Sequence, residues 1–314
     1  VVIGAFLLSG TAWAGDGAAL LSPAPLASTM PAVDGVNAKV DGFGGTLANR
    51  SIAGAQGAVT VPLAAPLGLQ VDGAAGSFGG EGFGSVAAHA FWRNPGQGLL
   101  GVYTSHTWWD HYGGLYIGQV AGEGEVYFGR FTLQGIAGVE FGNSASYTVS
   151  SGSVTQPGPI QFPLGNYTPG VITNSAATDA YSVRTRFFDE INLKYYVTDN
   201  FNAYVGHRYL GGKNALALGS EYAFGLGHGV MASAFVEGRA GEGNFNGVWG
   251  GLRFYFGGHD KPLVARHRQD DPNVWGPDSL FGITNSQSGS GSGSSSTFCN
   301  SGDFFDGTSC FAPM

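Results

Sequence analysis

The stretch that decides the fold is Phe245-Asn246-Gly247-Val248-Trp249-Gly250-Gly251-Leu252-Arg253-Phe254-Tyr255-Phe256. Its even positions from Val248 read Val, Gly, Leu, Phe, Phe, and its odd positions from Gly247 read Gly, Trp, Gly, Arg, Tyr. A period of two puts these sets on opposite faces of a strand. Similar stretches recur from Asn37 onward, with aromatics at their ends. That recurrence predicts a closed antiparallel β-barrel of the kind found in bacterial outer membranes.

Working outward, twelve strands are expected, at about 37–47, 57–64, 67–78, 82–93, 98–109, 115–128, 129–142, 185–198, 201–211, 214–225, 229–241 and 245–256. Turn-forming residues separate most of them: Asn94-Pro95-Gly96, Asp110-His111-Tyr112-Gly113, Thr198-Asp199-Asn200 and Gly211-Gly212-Lys213-Asn214. Barrels of this class have an even strand number, short periplasmic turns and longer outer loops. With the first strand running outward, every periplasmic turn is short. The one long connection, Asn143 to Arg184, then falls on the outside. Trp92, Trp108, Tyr127, Phe128, Phe131, Tyr195, Phe224 and Phe256 lie near strand ends, where amphipathic rings form two interfacial girdles.

Composition narrows the class. Glycine is 55 of 314 residues, more than twice the usual share of about 7%. Charged residues are 11%, against about 25% in soluble domains. No apolar run of about 18 residues follows the N-terminus, which excludes a helical membrane bundle. A soluble Gly-rich sandwich or a solenoid is the alternative, and it explains the strand-end aromatics less well. The net charge of −8 argues against nucleic acid as a partner.

Four segments are expected along the chain. Residues 1–14 read as the remnant of a signal peptide, with an apolar core Val1–Leu8 and a small-residue cleavage pattern Ala12-Trp13-Ala14. Residues 15–36 read as a flexible leader, 37–257 as the barrel, and 258–314 as a periplasmic tail. That tail holds charges from His259 to Asp271, a Gly/Ser linker at 288–296, and Cys299 and Cys310. Export implies an oxidising compartment, so the two cysteines are expected to bridge. A metal pair is the weaker alternative, since only Asp303 and Asp306 stand nearby and no His does.

The polar face of each strand must point inward, because lipid will not accept it. The lumen is therefore expected to be lined by Glu123, Glu125, Arg130, Glu140, Arg186, Glu190, Lys194, Arg208, Glu221, Glu237, Arg239 and Arg253. Gln70, Asp72, His89 and Arg93 join them from earlier strands. Such a set can be a network of ion pairs that fills the barrel, or the wall of a narrow aqueous path. Asp189 and His207 fall on the nominal lipid face. The long outer loop is almost uncharged and either folds into the mouth or stays at the surface. A search for catalysis yields little. Asp110-His111 at an outer loop tip superficially resembles the acid–His pairs of outer-membrane proteases. His106 lies beside Ser105, but neighbours on a strand face opposite ways. No metalloprotease, nucleophile-elbow or P-loop spacing occurs, so no enzyme activity, cofactor or metal is expected.

Three segments carry a family resemblance: Pro31–Gly45, Val61-Pro62-Leu63 with Gly68–Gly73, and Arg266-His267-Arg268-Gln269-Asp270-Asp271-Pro272. They resemble uncharacterised outer-membrane β-barrel proteins of alphaproteobacteria, over most of residues 31–272. The resemblance implies a location and a fold but no substrate. Phe256 resembles the closing aromatic by which the barrel-assembly machinery recognises its clients. The expectation is then a porin-like barrel of about twelve strands in the outer membrane, passing small solutes through a narrow polar lumen. Its partners would be lipid, lipopolysaccharide and the assembly machinery. The alternative is a non-conducting structural or surface-interaction barrel with a packed lumen.

Overall fold

The computed structural model describes residues 30–155, 171–287, 291–298, 304–305 and 310–311. The barrel strands are β1 Asn37–Leu47, β2 Arg50–Ala64, β3 Leu67–Phe78, β4 Glu81–Asn94, β5 Gly98–Trp109, β6 Leu115–Phe128 and β7 Phe131–Gly142, followed by β10 Arg186–Thr198, β11 Phe201–Leu210, β12 Lys213–Gly227, β13 Val230–Gly241 and β14 Asn246–Phe256. These twelve antiparallel strands form a closed barrel. β1 pairs with β14 from Ala38↔Phe256 to Leu47↔Gly247, so no edge is left open to lipid.

Alternation decides what faces where. In β14, Val248, Leu252, Phe254 and Phe256 are exposed on the outside, whereas Trp249 and Tyr255 are buried. The same outward set recurs around the wall in Val40, Val59, Val71, Val102, Val120, Leu193, Leu218 and Val236. Trp92, Trp108, Phe128, Phe131 and Tyr195 flank it. An outward apolar band between aromatic girdles is the surface that hydrocarbon solvates, and it belongs to an outer-membrane barrel.

Most connections are tight turns. The β1–β2 turn holds Ala48 and Asn49 at φ of 49° and 61°. This is the left-handed geometry that suits a two-residue hairpin and that Ala rarely adopts. The Ala48 methyl is buried against the apolar cluster of the outer mouth, which offsets the backbone cost. β2 begins at Arg50, seven residues before the expected start at 57, because its outward residues there are Ser51, Ala53 and Ala55. Side chains this small give almost no amphipathic contrast.

Three segments differ from the sequence reading. Residues 30–36 of the expected flexible leader pack on the barrel: Ala32 and Val33 are buried with Phe91 and Leu99, and the Ala32 N–H donates to the Ala65 carbonyl at 2.6 Å. The long outer connection contains a hairpin, β8 Ser144–Thr155 and β9 Val171–Ser182. Residues 263–287 of the expected periplasmic tail lie inside the barrel. From the mouth where β14 ends, the chain forms α1 Leu263–Gln269, a 3₁₀ turn Gly276–Asp278 and α2 Ser279–Thr284 inside the lumen. At the far end, the Ser182 N–H donates to the Ser286 carbonyl at 2.9 Å, and Gln287 bridges to Tyr181. The chain then adds β15 Gly291–Phe298 to β9. It therefore runs through the whole barrel and contributes a strand to the outer hairpin. The expected signal peptide and the expected Cys299–Cys310 bridge lie outside the described residues; Cys310 is described only in a short backbone pairing with Phe305.

The outward apolar band yields a measurable expectation. Val120, mid-strand in β6, is 56% exposed on the outer face. Val120→Arg should lower barrel stability in lipid vesicles by about 2–4 kcal/mol, read by urea unfolding. An unchanged midpoint would show that hydrocarbon does not bathe this face.

Candidate functional site

The candidate site is the lumen and the plug that fills it. Its centre is the Asp278 carboxylate, carried up the lumen by the 3₁₀ turn. Arg239 on β13 grips it with two bonds, Nε to Oδ1 at 2.7 Å and Nη2 to Oδ2 at 2.6 Å. Arg208 on β11 adds a third, Nε to Oδ2 at 2.8 Å. Burial works against the Asp278 charge, and the two arginines offset that cost with three charge-assisted bonds. Each arginine also has a partner on the wall. Arg208 pairs with Glu190 at 3.1 Å and Arg239 with Glu237 at 2.9 Å. Both are packed on rings, Arg208 over Trp275 and Arg239 over Trp249.

The mouth on the β14-end side is closed by α1. Arg266 donates to the Gly229 carbonyl at 2.7 Å. Arg268 donates to the Gly129 and Phe131 carbonyls, both at 2.9 Å. Lys261 pairs with Asp34 at 2.9 Å and Asp270 at 2.8 Å, and Lys39 of β1 pairs with Asp271. His267 sits between two phenols, Tyr196 at 2.9 Å from Nδ1 and Tyr255 at 3.0 Å from Nε2. Tyr255 donates to Glu221 at 2.7 Å. It must then accept from His267, so Nε2 carries a proton, and in the neutral ring Nδ1 accepts from the Tyr196 hydroxyl. Burial, followed by the nearby Lys194, Lys39, Arg253 and Arg93, pushes the His267 pKa well down.

The other mouth is closed by contacts of a different kind. The inward residues near the outer strand ends are apolar: Leu47, Ile52, Phe78, Phe83, Trp109, Leu115, Ile117, Phe188 and Leu210, with Phe245 and Trp249. Leu280, Phe281 and Ile283 of α2 fill this collar and are fully buried. Phe281 lies 4.4 Å from Phe245 between ring centroids. Gly282 lets the helix approach closely; a Cβ there would stand 2.3 Å from Ile117 Cδ1 and 3.1 Å from Glu140 Oε2. Polar contacts lock the helix end: Ser279 with Thr107 at 2.7 Å, Asn285 to the Leu210 carbonyl at 3.0 Å, and Arg186 to Ser286 at 3.1 Å.

The expected wall residues distribute as follows. Glu123, Glu125, Glu140, Glu190, Lys194, Arg208, Glu221 and Arg239 are buried inside. Arg253 joins Asp41 at 3.2 Å and Glu221 at 3.3 Å, and Glu237 reaches Tyr204 at 2.7 Å. Glu123 shares His89 with Asp72, at 2.7 and 3.2 Å. Arg186 sits at the outer rim beside Glu140, at 3.4 Å. Arg130 is corrected. It occupies the β6–β7 turn, half-exposed, and pairs with Asp199 at 3.3 Å, because a turn residue has no assigned face. Asp189 and His207 do lie outside, paired with each other at 2.8 Å. Asp110 and His111 do not pair; His111 binds Glu81 at 2.5 Å and stacks on Trp109. The sequence reading missed Asp278, Lys39, Asp271 and α2. The inward apolar positions at the outer strand ends were the available signal, since a water-filled mouth has no use for them.

No family model matches the chain, and no curated protein matches it. Among solved structures it is similar to an outer-membrane channel from Pseudomonas putida F1, at 9% identity and TM-score 0.39, over 74% of this chain and 98% of that one. It is also similar to the β domain of the Bordetella autotransporter BrkA, at 13% identity and TM-score 0.33, over 70% and 97% of the two chains. A third is the outer membrane protein Omp33 of Acinetobacter baumannii, at 12% identity and TM-score 0.32, over 71% and 97%. At such scores nothing of their function passes to this chain, and none of them bears on an alphaproteobacterial origin.

Two outcomes test the plug. Asp278→Ala leaves buried guanidiniums without their shared carboxylate, a change of about 3–5 kcal/mol for broken buried pairs. Hydrogen exchange across residues 275–286 should accelerate by about 10²-fold or more while the strands stay protected. Equal protection would show that the clamp does not hold the plug. The second concerns pH. The seated plug keeps His267 neutral, whereas a released plug lets it titrate near its ordinary value of about 6.5. The released state therefore binds more protons, so the seat is firm above about pH 6.5 and weakens as pH falls through that value. Protection of residues 263–269, corrected for intrinsic exchange, should drop between pH 7.5 and 5, and His267→Gln should remove that drop. Asp34, held below its usual value mainly by its hydrogen bond from Lys261, weakens the same mouth only below about pH 4.

Proposed function

We propose that this protein is an outer-membrane barrel sealed by its own C-terminal segment, and that its working part is the β-sheet it holds at the cell surface. The carrying observation is the fit of α2 in the apolar collar. Three fully buried side chains, Leu280, Phe281 and Ile283, each contribute about 1.5–3 kcal/mol against exposure to water. Opening the mouth would wet both the helix and the collar. The voids left between plug and wall are about 40 Å³ beside Lys194, Glu221 and His267, and about 20 Å³ beside Arg208 and Trp275. Spaces of that size hold a few waters at most. The outer hairpin β8–β9 and β15 then form a three-stranded sheet on the far side of the seal. Lipid and lipopolysaccharide would surround the band, and the assembly machinery would insert it. The reading includes no catalytic step.

Porin-like passage is the second reading, and one observation favours it. The wall arginines have wall partners of their own, Arg208 with Glu190 and Arg239 with Glu237. A lumen emptied of the plug would keep these two arginines paired, although Lys39 would lose Asp271. Passage would then follow plug displacement rather than occur in the seated state.

Planar-bilayer recording separates the two. The full chain should be silent, and Leu280→Asp with Phe281→Asp should introduce conductance. Steady conductance from the unaltered chain would reject the sealed reading. An epitope placed after Met314 should be reached by antibody on intact cells; labelling only after permeabilisation would reject surface display.

A further inference from the structure

At the outer mouth a cavity of about 360 Å³ opens between the β1–β2 turn, the β13–β14 loop and the end of the plug. It is lined by Ala48, Asn49, Arg50, Tyr181, Asn244, Thr284 and Gln287. The volume lies at the low end for small-molecule pockets, about 300–1,000 Å³. It is several times larger than either void in the lumen.

Arg50 gives the cavity its chemistry. Its guanidinium lies 5.1 Å over the Trp109 ring and donates one bond, to the Tyr181 hydroxyl at 3.3 Å. No carboxylate lies within 4 Å of it among the described residues. The acids of this rim are engaged elsewhere. Asp179 accepts from Tyr112 at 3.0 Å and from Gln287 at 2.7 Å, and Glu81 binds His111. The ring contact and the Tyr181 bond hold the guanidinium in place while most of its five donors remain available. Around it, the Asn49 and Asn244 side chains make no hydrogen bond among the described residues. They can donate and accept; the Thr284 hydroxyl donates to the Phe281 carbonyl at 3.4 Å and can still accept.

We propose that this cavity binds a small polyhydroxylated carboxylate, a sugar acid, with its carboxylate on Arg50 and its hydroxyls on Asn49, Asn244 and Thr284. One rigid fork matches one planar carboxylate. A neutral sugar would leave that fork without an anion. A phosphate dianion would meet one arginine flanked by Asp179 and Glu81, too little positive charge for it. The ligand would touch the barrel turn and the plug end together. The site therefore rests on the seated plug but not on whether the barrel conducts.

Isothermal titration of the full chain in detergent micelles tests this, with glucuronate, glucose and inorganic phosphate as probes. Glucuronate should bind saturably at one site, with glucose and phosphate at least tenfold weaker. Arg50→Gln should weaken glucuronate at least tenfold, with heat-modifiable gel migration reporting that the barrel is folded. Asn244→Ala, in an exposed loop, should weaken it several-fold and decides the matter should Arg50→Gln fail to fold. No saturable binding by the unaltered chain, glucose or phosphate as tight as glucuronate, or unchanged affinity in the folded variants would overturn the proposal.

Discussion

Hydrocarbon outside the barrel forces nearly every strand charge inward, and the rest of the molecule follows from that constraint. A charge in a narrow tube is far from bulk water and must be paired or hydrated. Here the wall pairs with itself, through Arg253 with Asp41 and Glu221, and it pairs with the tail, through Lys39 with Asp271 and both Arg208 and Arg239 with Asp278. The outward acid Asp189, near the outer end of β10, keeps His207 beside it at 2.8 Å. Even the exception is compensated.

The plug has the composition of the wall it meets at each height. Its first part, from Lys261 to Asp271, is charged and crosses the mouth where strands end in backbone carbonyls; Arg266 and Arg268 take those carbonyls. Its last part, Leu280 to Ile283, is apolar and enters the apolar collar. A graded plug in a graded lumen fits in one direction only. A uniform polar lining, which a simple aqueous path would need, is missing at the outer end.

Much of this was legible in the residues. The period of two in Phe245–Phe256 gives both faces of β14, and with the first strand running outward the parity of the strands puts the long connection at the outer mouth. Those signals are local and repeat twelve times, so small errors at single boundaries cancel. The plug was not legible, because charge was read as solvation. His259 to Asp271 looked like a hydrated tail, yet Arg266, Asp270 and Asp271 are all buried. Sequence spacing carries no record of contacts between residues 39 and 271, or 208 and 278. Arg130 failed for the opposite reason: alternation was extended by one residue into a turn, where it has no meaning.

Why the plug carries a carboxylate at its centre, rather than another leucine, is a question of register. Buried ion pairs often add little net stability, since desolvation offsets attraction. An apolar helix in an apolar collar is well buried at several heights and rotations, because dispersion and burial are not directional. Asp278 removes that freedom. Three charge-assisted bonds from two arginines on different strands can be made at one height and one rotation only. Held there, Ser286 meets Ser182 and Gln287 meets Tyr181, and the chain enters the pairing of β15 with β9. The apolar collar thus supplies the affinity of the plug for the barrel. The clamp supplies its position, and the position delivers the strand to the outer sheet.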